Sequence, residues 1–255
     1  TSDPEIRERL RLFERSGSWF VVLNTAKPPF DRPEVRRALS LVLDRPGLVA
    51  AVFDEPTLPG WSITPPSVLG REPTSTEPDV EAARLLLAGA GFPSGQDFPV
   101  VRFTYHRTPT WQRLAGELSA RWRSALGITV VPDEREWRDF LSFTDDPGDF
   151  DMYRGGWTSE YADPVNWYDD LWRSERNYLR ARWISPELDA LVETAARSRD
   201  RAERINAYAA ADAALEAGVP AIPIGYRAAA YLLKSEVSAF RIDPVGGAVD
   251  VNGVK

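Results

Sequence analysis

Residues 101–131 constrain the fold more than any other stretch. Val101, Phe103 and Tyr105 alternate with Arg102, Thr104 and His106, as in a strand with two unlike faces. Thr110 to Leu126 then carries Trp111, Leu114, Leu118 and Trp122 on one helical stripe, with Gly127 placed as terminator. Ile128 to Val131 is a short apolar run that reads as a second strand. Strand, helix, strand is a βαβ unit, so the two strands are expected to be parallel and the crossover right-handed.

Other segments supply helices and strands to pack around that unit. Asp31 to Asp44 starts like a capping box: Asp31 as cap, Pro33 in the first turn, Glu34 three residues after the cap. Val35, Leu39 and Val42 share one face, which predicts a helix; Pro46 and Gly47 interrupt it, and Leu48 to Phe53 adds a turn or two. Glu55 to Pro78 is rich in proline, serine and threonine and is expected to be a long irregular loop. Helices are predicted over Asp79 to Ala90, ended by Gly91, and over Trp137 to Phe143, with a strand at Phe150 to Arg154. Ser185-Pro186 opens a helix that turns Leu188, Leu191, Val192 and Ala195 inward. Asp200 and Glu203 form a second capping box for a helix to Ala217, closed by Gly218 and Pro220. Two short strands, Ala221 to Tyr226 and Ala229 to Leu233, precede a loop-like tail from Lys234.

Composition excludes several functions. The chain has 255 residues, 43% apolar and 27% charged, ordinary values for a soluble globular protein with ample core. Leu48 to Phe53 falls far short of the roughly 18 apolar residues of a membrane span, so no direct membrane insertion is expected. The net charge of −7 repels phosphate backbones and argues against nucleic acid. Arg173, Arg176, Arg180 and Arg182 cluster, but Asp169, Asp170 and Glu175 break the run, as in a solvated loop. Without cysteine there is no disulfide, thiol catalysis or thiolate metal site. A single histidine cannot build a multi-histidine metal site; no metal or cofactor is expected. Thr1 begins no export leader, so the chain is read as a mature start or as a piece cut from something longer.

Function is concentrated in Arg154 to Trp167, which packs an arginine, carboxylates, two glycines and three aromatics into one segment. Gly155-Gly156 and Pro164 oppose a regular helix, so a strand running into an irregular loop is expected. An arginine three residues before Trp157 and Glu160 three after it could hold a molecule that is positive at one end and negative at the other. The plain alternative is a buried tryptophan beside a surface ion pair.

These pieces, in this order, resemble the extracellular solute-binding proteins of peptide-type ABC transporters. Leu23 to Arg45 (LNTAKPPFDRPEVRRALSLVLDR) looks like that family's Asn-x-x-x-Pro-Pro-Phe stretch with its following Val-Arg-x-Ala-Leu. Glu77 to Phe92 (EPDVEAARLLLAGAGF), LGITV followed by EW between Leu126 and Trp137, GWTSEYADP at Gly156 to Pro164, and AIPIGY near the end match as well. The resemblance implies an α/β lobe of the type II periplasmic-binding-protein kind, a mixed β-sheet flanked by helices. It also implies three parts: a helical or linker segment at 1–18, the ligand-binding lobe at 19–233, and a tail at 234–255. That tail would return to a missing N-terminal lobe. The implied partners are a peptide or other small solute and the permease subunits of an ABC transporter. The implied location is the periplasm or the extracellular face of the membrane.

The same resemblance implies roles for individual residues. Glu160 stands where relatives place an aspartate that accepts the ligand's α-ammonium, and Arg154 where an arginine can meet a short peptide's carboxylate. Alternatively Glu160 is a surface glutamate and Arg154 a partner for Glu160 or Asp151. Gly156 and Thr158 match positions whose backbone pairs with an extended ligand as an added strand. Trp157 and Trp137 match pocket-lining aromatics, or are core residues. His106 is either a ligand contact or a plain strand-end histidine. Asp163 is expected to brace the loop at Pro164. Tyr161, with Trp157, Trp167, Tyr168 and Trp172, would suit stacking on sugars if the ligand were an oligosaccharide. A ligand-sensing domain of a larger regulatory protein is a second reading. A glycoside-cleaving pair of Glu160 with Asp163 or Asp151 is a third, and catalysis is not expected.

Overall fold

The computed structural model describes residues 4–234 and 237–254. Parts of the expected first segment (residues 1–3) and tail (235–236 and 255) therefore lie outside the described residues. A short helix, α1 (Pro4–Arg9), leads into the long strand β1 (Leu10–Leu23). Residues 10–18, expected to be helical or linker, are thus the first part of a central strand. Val21 and Leu23 of β1 enter one apolar cluster and Phe20 and Val22 the other, all essentially unexposed. Such burial of successive residues is what a strand covered on both faces requires.

Helices α2 (Pro33–Leu41) and α3 (Arg45–Val52) follow. Asp31 does not cap α2: Pro33 occupies its first turn, so the cap position falls on Arg32, whose side chain makes no capping bond. Asp44 does cap α3, accepting from Gly47 N at 3.1 Å. The region expected to be loop contains a three-residue strand, β2 (Thr57–Pro59), and one turn of helix, α4 (Pro66–Leu69). Next come α5 (Val80–Gly89), β3 (Val101–His106), α6 (Pro109–Leu126), β4 (Val130–Arg135), α7 (Trp137–Asp145) and β5 (Met152–Thr158). The chain continues through α8 (Val165–Trp167), a π-helical turn at Tyr168–Trp172, α9 (Pro186–Arg197) and α10 (Arg201–Gly218). It finishes with β6 (Ala221–Leu232), β7 (Val237–Ile242) and β8 (Val249–Val254).

Six strands form one mixed sheet in the order β2-β6-β1-β5-β3-β4. β3 and β4 are parallel, as the βαβ pattern predicts, and β3 is also parallel to β5. β1 runs antiparallel to β5 and β6, and β2 antiparallel to β6. β6 replaces the two short strands expected there, because Arg227 pairs with Thr57 and Ala228 with Glu14, leaving no gap in the ladder. β7 and β8 pair as a separate hairpin in the tail expected to be a loop. One core cluster holds the inward faces of α2, α3, α5 and α6; the other holds α7, α9, α10 and the 165–172 turns. Trp122 centres the first cluster, fully buried, with its indole N–H donating to Leu39 O at 2.9 Å. Burying one such side chain contributes roughly 1.5–3 kcal/mol. Two buried arginines anchor helices: Arg36 of α2 donates to Gly218 O and Val219 O at the end of α10 and to Phe30 O, and Arg45 of α3 to Pro223 O of β6.

Outside the sheet proper, residues 10–14 of β1 pair only with residues 228–232 of β6. They form a two-stranded ribbon that projects past the end of β5, with a register shift between Glu14 and Ser18 at its root.

Candidate functional site

The registered pairing of β3 with β5 ends at Thr104 opposite Tyr153, yet β5 runs on to Thr158. Beyond that point Arg154 to Thr158 pair with β1 on one side and have no strand registered on the other. β3 ends nearby at His106, and Thr108 caps α6 by accepting from Trp111 N, which brings Trp111 in beside it. Carboxyl ends of strands in open α/β sheets are where ligands are commonly held. Here they border a cavity of about 500 Å³ lined by Trp19, Glu55, His106, Trp111, Trp137, Arg154 and Arg227, among others. A second cavity of about 210 Å³ shares Arg154 and Trp137 and is lined by Gly155, Gly156, Trp157 and Tyr178.

Arg154 is the centre of the arrangement. Its Nη2 donates to His106 Nδ1 at 2.8 Å, and its guanidinium carbon lies 4.8 Å from the Trp111 ring, 5.0 Å from Phe140 and 5.7 Å from Trp19. Burial lowers its pKa to about 10, so it remains cationic at neutral pH. Burial lowers Arg36 and Arg45 similarly, but Arg36 spends its donors on backbone carbonyls and Arg45 on backbone carbonyls and Ser40 Oγ. Among the described residues Arg154 has no carboxylate or carbonyl partner, and its buried Nε has no partner at all. Since guanidinium only donates, His106 Nδ1 accepts, and the neutral ring carries its proton on Nε2. Burial and then the Arg154 charge push the His106 pKa down to about 4. Trp137 is 53% exposed, 4.7 Å from the His106 ring, and so is a wall of the cavity rather than core.

Glycines shape the floor. A Cβ on Gly156 would fall within 2.6 Å of Trp19 Cζ3, and one on Gly155 within 2.6 Å of Phe20 Cε2. Both must be bare for the β1 aromatics to lie flat on β5. Past Thr158 the loop is held by buried polar groups. Ser159 N donates to Ser16 O at 2.7 Å, and Trp167 Nε1 donates to Ser159 Oγ at 2.7 Å. Asn166, 1% exposed, accepts through Oδ1 from both Trp157 Nε1 (3.1 Å) and Glu160 N (2.9 Å). Asp163 braces the turn as expected, accepting from Val165 N at 2.9 Å and Arg204 Nη2 at 2.7 Å.

The expected site residues divide. Arg154, His106 and Trp137 converge on the larger cavity, and Gly156 and Trp157 line its neighbour. Thr158 reaches the site indirectly, accepting through Oγ1 from Arg227 Nη1 at 3.0 Å. Glu160 is exposed, its carboxylate makes no ion pair among the described residues, and it is not among the residues lining either cavity. Arg154 therefore pairs with neither Glu160 nor Asp151; Asp151 is taken by Lys27 at 2.8 Å and by Arg102 N at 2.7 Å. Tyr161 donates to Asp170 at 3.0 Å and lines neither cavity. The sugar-stacking set is corrected: Trp167, Tyr168 and Trp172 are at most 2% exposed and belong to the second core. Trp19, Trp111, Glu55, Arg227 and Asn166 went unassigned from sequence, since their part in the site comes from sheet order rather than spacing. Among the described residues no three His, Asp or Glu side chains gather as a metal site, and no helix is long and apolar enough to cross a membrane.

Residues 3–178 match the family model described as bacterial extracellular solute-binding proteins, family 5 Middle. The periplasmic oligopeptide-binding protein OppA of Salmonella typhimurium is 31% identical over 244 residues, which are 92% of this chain and 44% of that protein. The probable deoxycholate-binding periplasmic protein YgiS of Escherichia coli is 30% identical, covering 91% of this chain and 44% of its own length. A crystal structure of the periplasmic oligopeptide-binding protein OppAIV of Borrelia burgdorferi superposes with a TM-score of 0.80 at 25% identity, over 91% of this chain and 46% of that one. The chain spans less than half the length of these relatives.

Proposed function

This chain belongs to the bacterial extracellular solute-binding proteins of family 5, and on that footing we propose that it is one ligand-gripping lobe of an ABC-transporter binding protein. Its ligand is a short peptide or a similar carboxylate-bearing solute, delivered to a permease from the outer side of the membrane. No bond is made or broken. The observation that carries the reading is Arg154: a half-buried cation at the mouth of a cavity, walled by aromatics, whose buried Nε has no partner among the described residues. A ligand carboxylate supplies the missing acceptor. The names of the relatives are consistent with this, because oligopeptides and deoxycholate alike carry a carboxylate.

Backbone pairing supplies the sequence-tolerant part of the grip. The β5 edge from Arg154 to Thr158, free on the β3 side, suits an extended peptide added as a strand, with Trp137 and Trp157 flanking the side chains. Glu160 sits exposed beyond that edge, where it accepts the peptide's ammonium. The test is calorimetry on the complete two-lobed gene product with di-, tri- and tetra-alanine. Arg154→Ala is expected to weaken binding roughly 10- to 100-fold, the worth of a charged hydrogen bond. Unchanged affinity in that variant, or no peptide binding by the unsubstituted protein, overturns the reading.

A further inference from the structure

The larger cavity holds two guanidinium groups, where a single carboxylate needs one. Arg154 enters it from β5 and Arg227 from β6, and their guanidinium carbons lie 5.7 and 5.2 Å from the same ring, that of Trp19. Arg227 is held in place: Nη1 donates to Thr158 Oγ1 at 3.0 Å, and the side chain lies across the bare Cα of Gly17. A Cβ on Gly17 would come within 2.9 Å of Arg227 Cδ. Arg227 makes no ion pair among the described residues; Glu55, the one carboxylate among the lining residues, bridges neither arginine. His106 contributes no charge near neutral pH. Two positioned guanidinia with no anion between them form a receptor for a second anionic group.

We infer that Arg227 is a specificity residue and that the lobe selects ligands with two anionic groups at this end, namely short peptides whose carboxy-terminal residue is itself acidic. The inference rests on the peptide-binding reading. One carboxylate meets Arg154 under the aromatic wall, and the other meets Arg227 on the rim beside Thr158. The planar guanidinium suits the task because it offers paired donors and cannot shed its charge. The single net positive charge left by Arg154, Arg227 and Glu55 also disfavours a ligand that is cationic at this end.

The experiment compares Ala-Ala-Glu with its neutral isostere Ala-Ala-Gln by calorimetry on the complete two-lobed protein, unsubstituted and as Arg227→Gln. The expected result is about a 10-fold preference for the acidic peptide, worth one charge-assisted hydrogen bond, collapsing to near unity in Arg227→Gln. A ratio near one in the unsubstituted protein, or a preference that survives Arg227→Gln, overturns the inference while the peptide reading stands. If neither tripeptide binds, the peptide reading fails, and glutarate decides the remainder. Glutarate binding that Arg227→Gln abolishes keeps the two-anion receptor, and absence of glutarate binding removes it.

Discussion

His106 shows how one side chain links the site to pH. In the folded chain its Nδ1 accepts from Arg154, and burial and then the neighbouring guanidinium hold its pKa near 4, below the ordinary value of 6.5. Between those two values the unfolded chain binds a proton that the folded chain does not, so folding stability falls as pH drops from about 6.5 towards 4. A thermal-unfolding series across that window is expected to show the fall, and His106→Gln to flatten it. An identical slope in the variant removes His106 as its source. The sequence already marked His106 as its one histidine, at the end of a strand, and Arg154 and Trp137 through the family resemblance. It did not mark Trp19 or Arg227. Trp19 opens an apolar run that looks like core, and Arg227 follows one. Only the antiparallel registers of β1 with β5 and β6 carry both to the cavity.

At the scale of elements, local signals were legible where they are chemical. Asp79, Ser185 and Asp200 cap α5, α9 and α10 with their side chains, and Gly127 ends α6 in the left-handed conformation. For α10, Asp200 Oδ1 accepts from Glu203 N at 2.8 Å, while Glu203 accepts from Ser198 Oγ at 2.6 Å. Asp200→Ala is expected to cost about 1 kcal/mol. Urea unfolding should show a lower midpoint at unchanged slope, with ligand affinity untouched because α10 stands away from the cavities. No shift in midpoint would mean that the cap is redundant. Strand limits were less legible. Residues 10–16 read Leu-Arg-Leu-Phe-Glu-Arg-Ser, with no clean alternation, because the ribbon they form is exposed on much of its surface and buries no continuous face. The tail hairpin was missed because Pro244 and Gly246-Gly247 read as loop, whereas they form a turn in which Asp243 accepts from Val245 N and Gly246 N.

Across the whole molecule, two apolar clusters on opposite faces of one sheet give the chain a core of its own, so it is expected to fold as a unit. Folding is not gripping, however. The cavities are open, and a ligand laid along β5 is covered from one side only. The 255-residue chain alone is therefore expected to bind tri-alanine in the millimolar range or weaker, because it can desolvate only part of the ligand. Calorimetry beside the complete protein checks this, and micromolar affinity for the chain alone would contradict it. The parallel pairing of β3 with β4 followed from the βαβ pattern at 101–131 and the lobe from the family resemblance, whereas the order of strands in the sheet did not, since strand pairing across two hundred residues leaves no periodic trace in either partner.

The projecting ladder of residues 10–14 and 228–232 has a mechanical corollary. Phe240 of β7 packs on Phe13 at 5.0 Å and on Tyr231 at 5.1 Å, and Ser16 N donates to Pro244 O at 2.9 Å, so both strands of the ladder bear the tail hairpin.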